Sequence, residues 1–84
     1  MRIDKYLKVA RVLKKREIAK ELAINNRLFV NGKVVKASYE IKINDIIKIE
    51  FGNRIIKIKV LEIRENASKQ DALSMYEIVE EGNE

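Results

Sequence analysis

The chain has no histidine, cysteine, proline, tryptophan or threonine among its 84 residues, and only three glycines. Without Cys or His there is no thiol nucleophile, no imidazole base, no zinc finger, no iron–sulfur ligand set and no disulfide. Ser38 and Ser68 have no imidazole to activate them. The glycines stand apart, so there is no Gly-rich loop to cradle a phosphate. Carboxylates, Lys and Tyr are the acid–base groups that remain. Asp4 reads as a helix-start charge, and Asp45, after Asn44, reads as a turn residue whose side chain bonds its own backbone. Hydrophobic runs stop at three residues, as in Leu28-Phe29-Val30. A membrane-spanning helix needs about 20 and a signal-peptide core about 7–15. These absences predict one small non-enzymatic domain in the cytoplasm, with no cofactor and no metal.

What is present is charge, unevenly placed. Charged residues make up 37% of the chain and hydrophobic ones 46%, with a net charge of +5. Residues 1–36 hold eleven bases and three acids, a net +8. Residues 65–84 hold one base, Lys69, and six acids, a net −5. The basic half is of a kind that faces phosphate.

The apolar pattern begins with a helical period. Ile3, Leu7, Ala10 and Leu13 form one stripe and predict a helix over 3–13. Ile18, Ala19, Leu22 and Ala23 predict a second over 15–25, with Asn25-Asn26 as its stop. From residue 28 the period is two. Leu28-Phe29-Val30, Asn31-Gly32 and Lys33-Val34-Val35 read as a hairpin, since Asn-Gly suits a turn with two positive φ angles. Ile41 and Ile43 alternate around Lys42, and Ile47, Ile49 and Phe51 alternate with Lys48 and Glu50. Gly52-Asn53 is a turn, followed by Ile56, Ile58 and Val60. The phase slips at Val60-Leu61, which a bulge or the end of pairing produces. Residues 66–84 fit either a short helix capped by Ser68 or a closing strand through Met75, Glu77 and Val79, with a frayed end over 80–84. The fold class is α+β: two helices packed on a small bent antiparallel sheet of four to five strands, with the core shared between them.

A basic constellation is the strongest functional signal. On one continuous helix Lys8, Arg11 and Lys15 share a face. Lys14, Lys15 and Arg16 meet at the helix joint, Arg16 and Lys20 are four apart, Arg27 opens the first strand and Lys33 follows the hairpin turn. Lysine-rich helix faces are ordinarily just solvated. Here like charges at i, i+3 and i, i+4 each cost a few tenths of a kcal/mol with few acids to offset them, which favours a binding face. Such a face attracts phosphate with strong salt dependence. Tyr6, Phe29, Tyr39, Phe51 and Tyr76 are scattered, mostly at core positions, and form no stacking platform, so backbone and shape recognition of folded RNA fits best. An enzyme fragment and a peripheral membrane binder are the competing classes. The chain is short for the first, and the core needs the apolar stripe that the second would use.

These residues also carry a family resemblance. Arg2-Ile3-Asp4-Lys5-Tyr6-Leu7, Arg11, Lys15-Arg16, Ala19, Arg27-Leu28-Phe29-Val30-Asn31-Gly32, Lys36-Ala37-Ser38 and Ile43-Asn44-Asp45-Ile46-Ile47 resemble the S4-like RNA-binding domain over about residues 1–60. Two places where that family commonly has Gly look like Asn26 and Asn44, and Asn is the next most tolerant residue for left-handed φ. The resemblance implies an RNA-binding domain over 1–64 and an acidic C-terminal extension over 65–84. It implies RNA contacts at Arg2 and Arg16, with Lys5, Lys8, Arg11, Lys14, Lys15, Arg27 and Lys33 around them. Met1–Val9 and Met75-Tyr76 are most similar to the stand-alone members of ribosome-associated quality control. The small bacterial heat-shock S4-type proteins are also similar. The implied partners are 23S rRNA of obstructed large subunits, peptidyl-tRNA and an RqcH-type factor that adds C-terminal alanine. The implied state off the ribosome is a monomer.

Overall fold

Helix α1 begins where two backbone donors find acceptors in another segment. The computed structural model describes residues 1–83, and in it α1 spans Ile3–Val9. Arg2 precedes it without a side-chain cap. Ile3 N–H donates to the Tyr39 carbonyl at 2.8 Å and Asp4 N–H to the Ala37 carbonyl at 3.3 Å. The loop over 37–39 therefore caps two of the donors that every helix start leaves open.

The first helix is shorter than the apolar stripe suggests. Arg11 adopts φ +60°. Arg11 N–H bonds the Lys8 carbonyl and Val12 N–H the Leu7 carbonyl. This is the Schellman closure, in which a left-handed residue just past the helix end turns two N–H groups back onto its last carbonyls. Lys8, Arg11 and Lys15 thus do not share a continuous helix face. Leu13 reaches the core from the joint rather than from α1.

Helix α2 spans Arg16–Ile24 and ends in the same way. Asn26 sits at φ +58°, with its N–H on the Ala23 carbonyl and Arg27 N–H on that of Leu22. Asn44, at φ +76°, takes the other left-handed place that the family resemblance marks.

The hairpin follows the Asn-Gly signal. Strands β1, Leu28–Val30, and β2, Lys33–Val34, flank Asn31 at φ +51° and Gly32 at φ +85°. Asn31 also ties the hairpin to the sheet. Its Oδ1 accepts from Ile46 N–H, and its Nδ2 donates to the Asp45 carboxylate, which accepts from Lys42 N–H as well. Asp45 does bond a nearby backbone group, and it cross-links two turns besides. Ile41 and Ile43 are not in a strand: Asp45 folds the chain back at Lys42, so Ile41 is buried and Ile43 exposed.

Strands β3, Ile46–Phe51, and β4, Arg54–Val60, form the long central pair. Next come a short helix α3, Lys69–Ala72, capped by the Ser68 hydroxyl, and strand β5, Tyr76–Asn83. Both readings of the C-terminal segment are therefore realised in sequence. The sheet is antiparallel, in the order β2-β1-β3-β4-β5. At Leu61 the phase slips because strand pairing ends at Val60. A register shift lies elsewhere, between Lys57 and Ile58 opposite β5. The end is not frayed over 80–83, since Glu80 to Asn83 pair with Lys57 to Arg54; Glu84 lies outside the described residues.

The core lies between the helices and one sheet face. Ile3, Tyr6, Leu7, Ala19 and Leu22 pack on Leu28, Val30, Ile47, Ile49, Ile58 and Val60, with Met75 closing the end. Tyr6 is the one fully buried aromatic residue among the described residues. Phe29 and Tyr76 are half-buried, while Tyr39 and Phe51 are exposed, because their strand or loop positions face away from the helices or run past them.

Candidate nucleic-acid interface

At its centre is a buried carboxylate rather than a cation. Asp4 is 0% exposed. Arg2, just before α1, donates from Nη2 to its Oδ2 at 3.1 Å. Arg16, the first residue of α2, donates from Nη2 to its Oδ1 at 3.1 Å, and Lys5 N–H shares that oxygen at 2.8 Å. Asp4 is more than the helix-start charge it resembles in the sequence: it joins the starts of both helices. The two arginine side chains stay 46% and 37% exposed, while one Nη of each is fixed on Asp4. The Arg16 Nε–H is buried with no protein acceptor.

Arg2 of this pair lines a concavity of about 610 Å³ with Lys20, Ala23, Ile24, Asn26, Lys36, Ala37 and Ser38. A neighbouring hollow of about 570 Å³ shares Lys36 and Ser38 and includes Lys33 and Tyr39. The left-handed turn at Asn26 and the loop that caps α1 bring Lys20 and Lys36 to one rim. Neither Lys20 nor Lys36 is among the expected contacts, and Lys36 stands outside the basic constellation as well. Its partner in space, the end of α2, is twelve residues away in sequence, and no periodicity links the two.

The other expected residues do not all gather there. Lys5 pairs with Glu65, whose carboxyl this contact holds below the usual carboxylate range. Lys8 and Arg11 line a small hollow with Glu65, Asn66 and Ala67, and Arg11 reaches the Ala67 carbonyl at 3.4 Å. Lys14 borders an apolar groove with Leu13, Ile18, Phe51 and Arg54. Lys15 is exposed just before α2. Arg27 lies next to Phe51 and Gly52 and reaches the Gly52 carbonyl at 3.4 Å.

Of the eleven bases in residues 1–36, only Arg2, Lys5 and Arg16 have a carboxylate within 4.0 Å among the described residues. The acids of the C-terminal segment mostly pair elsewhere: Glu80 with Lys57, Glu81 with Arg54 and Asp71 with Arg64. Apart from Glu65 on Lys5, these acids are neutralised away from the helices and the hairpin, and eight of the eleven bases have no carboxylate within 4.0 Å among the described residues. Among the described residues no group of three acidic side chains converges to hold a metal, and no helix is long and apolar enough to cross a membrane.

Known proteins share this architecture. Residues 1–47 match the model of the S4 domain. A protein of Streptococcus pneumoniae named RQC P-site tRNA stabilizing factor is 49% identical, with 96% of this chain and 92% of that protein covered. The protein of the same name in Bacillus subtilis is 40% identical, covering 96% and 94%. The structure of Vibrio cholerae Heat Shock Protein 15 superposes with a TM-score of 0.85 at 25% identity, over 94% of this chain and 81% of that one. By its folded helix–hairpin unit and by its match to both the domain and these full-length relatives, the chain belongs to the S4 domain family.

Proposed function

We propose that the chain is a non-catalytic RNA-binding factor of ribosome-associated quality control. In this reading it binds obstructed large ribosomal subunits, contacts 23S rRNA and peptidyl-tRNA, and assists an RqcH-type factor in adding alanine to stalled chains in the cytoplasm. Residues 1–64 carry the RNA contacts and residues 65–84 form an acidic extension. The observation that carries the reading is Arg2, held with Arg16 on Asp4, lining a concavity with Lys20 and Lys36, which have no carboxylate partner among the described residues. Arginines grip phosphate with forked hydrogen bonds, and lysines at the rim add counterion release. The near full-length match to relatives named RQC P-site tRNA stabilizing factor supports the pathway.

The test is co-sedimentation with purified large subunits. Charge reversal at Arg2 or Arg16 is a poor variant, because it sets a new carboxylate against buried Asp4. Lys20→Glu with Lys36→Glu leaves the core alone. That double variant is expected to keep its circular dichroism spectrum and to lose at least about tenfold in affinity. Undiminished binding would place the interface elsewhere. The likeness to Heat Shock Protein 15 favours a second reading, recycling of large subunits that carry nascent chains. Dependence of alanine tailing on this chain, in a reaction with the RqcH-type factor, separates the two.

A further inference from the structure

We propose that Asp4 is a positioning residue: its buried carboxylate presets Arg2 and Arg16 as one fixed pair of donors for RNA. The proposal rests on the RNA-binding reading above. A carboxylate inside a core is costly, and well-packed apolar residues commonly do as well for stability as a buried ion pair. The core around Asp4 includes Ile3, Tyr6 and Leu7, so the site has no local shortage of apolar side chains. What Asp4 does that an apolar residue cannot is hold two guanidinium groups from two elements at 3.1 Å each. Arg11 and Arg27, by contrast, reach only single carbonyls at 3.4 Å. Side-chain freedom lost when a phosphate is gripped is then already lost in the free protein for Arg2 and Arg16.

Charge counting gives the opposite expectation. Asp4 is a negative charge beside a face that binds a polyanion. Removing it should tighten binding to any RNA if only the summed charge matters. Positioning requires that removal weaken binding to the structured target.

The experiment compares the full chain with Asp4→Asn on two probes, purified large ribosomal subunits and poly(U). Expected is about tenfold weaker binding of Asp4→Asn to large subunits, the scale of one lost charge-assisted hydrogen bond, with poly(U) bound at least as tightly as by the wild type. Equal or tighter binding to both probes overturns the proposal. So does weakening on both, which reports a lost fold and not a lost placement. A measurement on the wild type keeps the test independent of how the variant folds. Nitrogen-15 relaxation should find the Nε–H groups of Arg2 and Arg16 more rigid than those of Arg11 and Arg27, and equal mobility overturns the proposal. Failure of the wild-type chain itself to bind large subunits sinks the RNA reading and this proposal together. Wild-type binding matched by Asp4→Asn sinks the proposal alone.

Discussion

Tyr6 shows how much one residue can join. Its ring is fully buried and its hydroxyl donates to the Met75 carbonyl at 2.7 Å. Burial pushes the phenol well above its ordinary range, with smaller contributions in the same direction from Tyr76 and Glu62. A folded-state pKa raised above the unfolded value of about 10 stabilises the protein fully at lower pH, and this contribution fades as pH rises beyond about 10. Removing the hydroxyl is mild, because the Met75 carbonyl also accepts from Leu61 and Glu62 N–H. Tyr6→Phe is expected to cost about 0.5–1.5 kcal/mol in urea unfolding at neutral pH and to flatten the loss of stability above pH 10. Tyr6 was legible in the sequence as a core aromatic. Its partner was not, since nothing local marks a carbonyl sixty-nine residues away. Asp4 was misleading for a related reason: helix-start acids are common, and only the fold brings Arg16 to it.

At the scale of elements, the two helix ends form a natural comparison. Both close with the same hydrogen bonds, one around Asn26 at φ +58° and the other around Arg11 at φ +60°. The Asn-Asn stop could be read from sequence because Asn tolerates left-handed φ. The Arg11 stop could not, because arginine carries no such signal and the stripe of Ile3, Leu7, Ala10 and Leu13 runs straight through it. The hairpin, in turn, was fully legible from Asn31-Gly32, where both φ angles are positive. Arginine at a left-handed position is strained by about 1–2 kcal/mol, while glycine there costs more unfolded-state entropy. Arg11→Gly should therefore raise stability by up to about 1 kcal/mol, read from the urea midpoint at constant m-value. If Arg11 meets a phosphate, the same variant should shallow the log-salt slope of RNA binding by about 1. Unchanged stability would mean that the strain is relieved elsewhere.

For the whole molecule, the acidic segment is a structural partner of the sheet. Strand β5 pairs along β4, and Met75 is fully buried in the common core. Deleting residues 65–84 should therefore leave a chain without a cooperative thermal transition, since Ile58, Val60 and Tyr6 lose their cover. The role of its charge is tested instead by Glu80→Gln with Glu81→Gln. These acids sit against Lys57 and Arg54, and at physiological salt fields fade over about 8 Å. The double variant should bind RNA within about twofold of the wild type if its only electrostatic effect is local, as fluorescence anisotropy would show. The alternation of β3 and β4 gave the sheet in advance. Which end of the chain would close it depended on Met75 meeting Tyr6, a contact between distant segments that composition and periodicity do not encode.

That same contact sets an order of events during synthesis. Tyr6 and Met75 are sixty-nine positions apart, so the core cannot close around α1 until Met75 has emerged. Until then Ile3, Tyr6 and Leu7 lack their final cover, and the loop to be closed is long, which slows such a fold relative to a helical bundle of its size. The nascent chain therefore carries its complete basic half while still tethered and unfolded. A newly made molecule is thus a flexible polycation first and a shaped domain only afterwards.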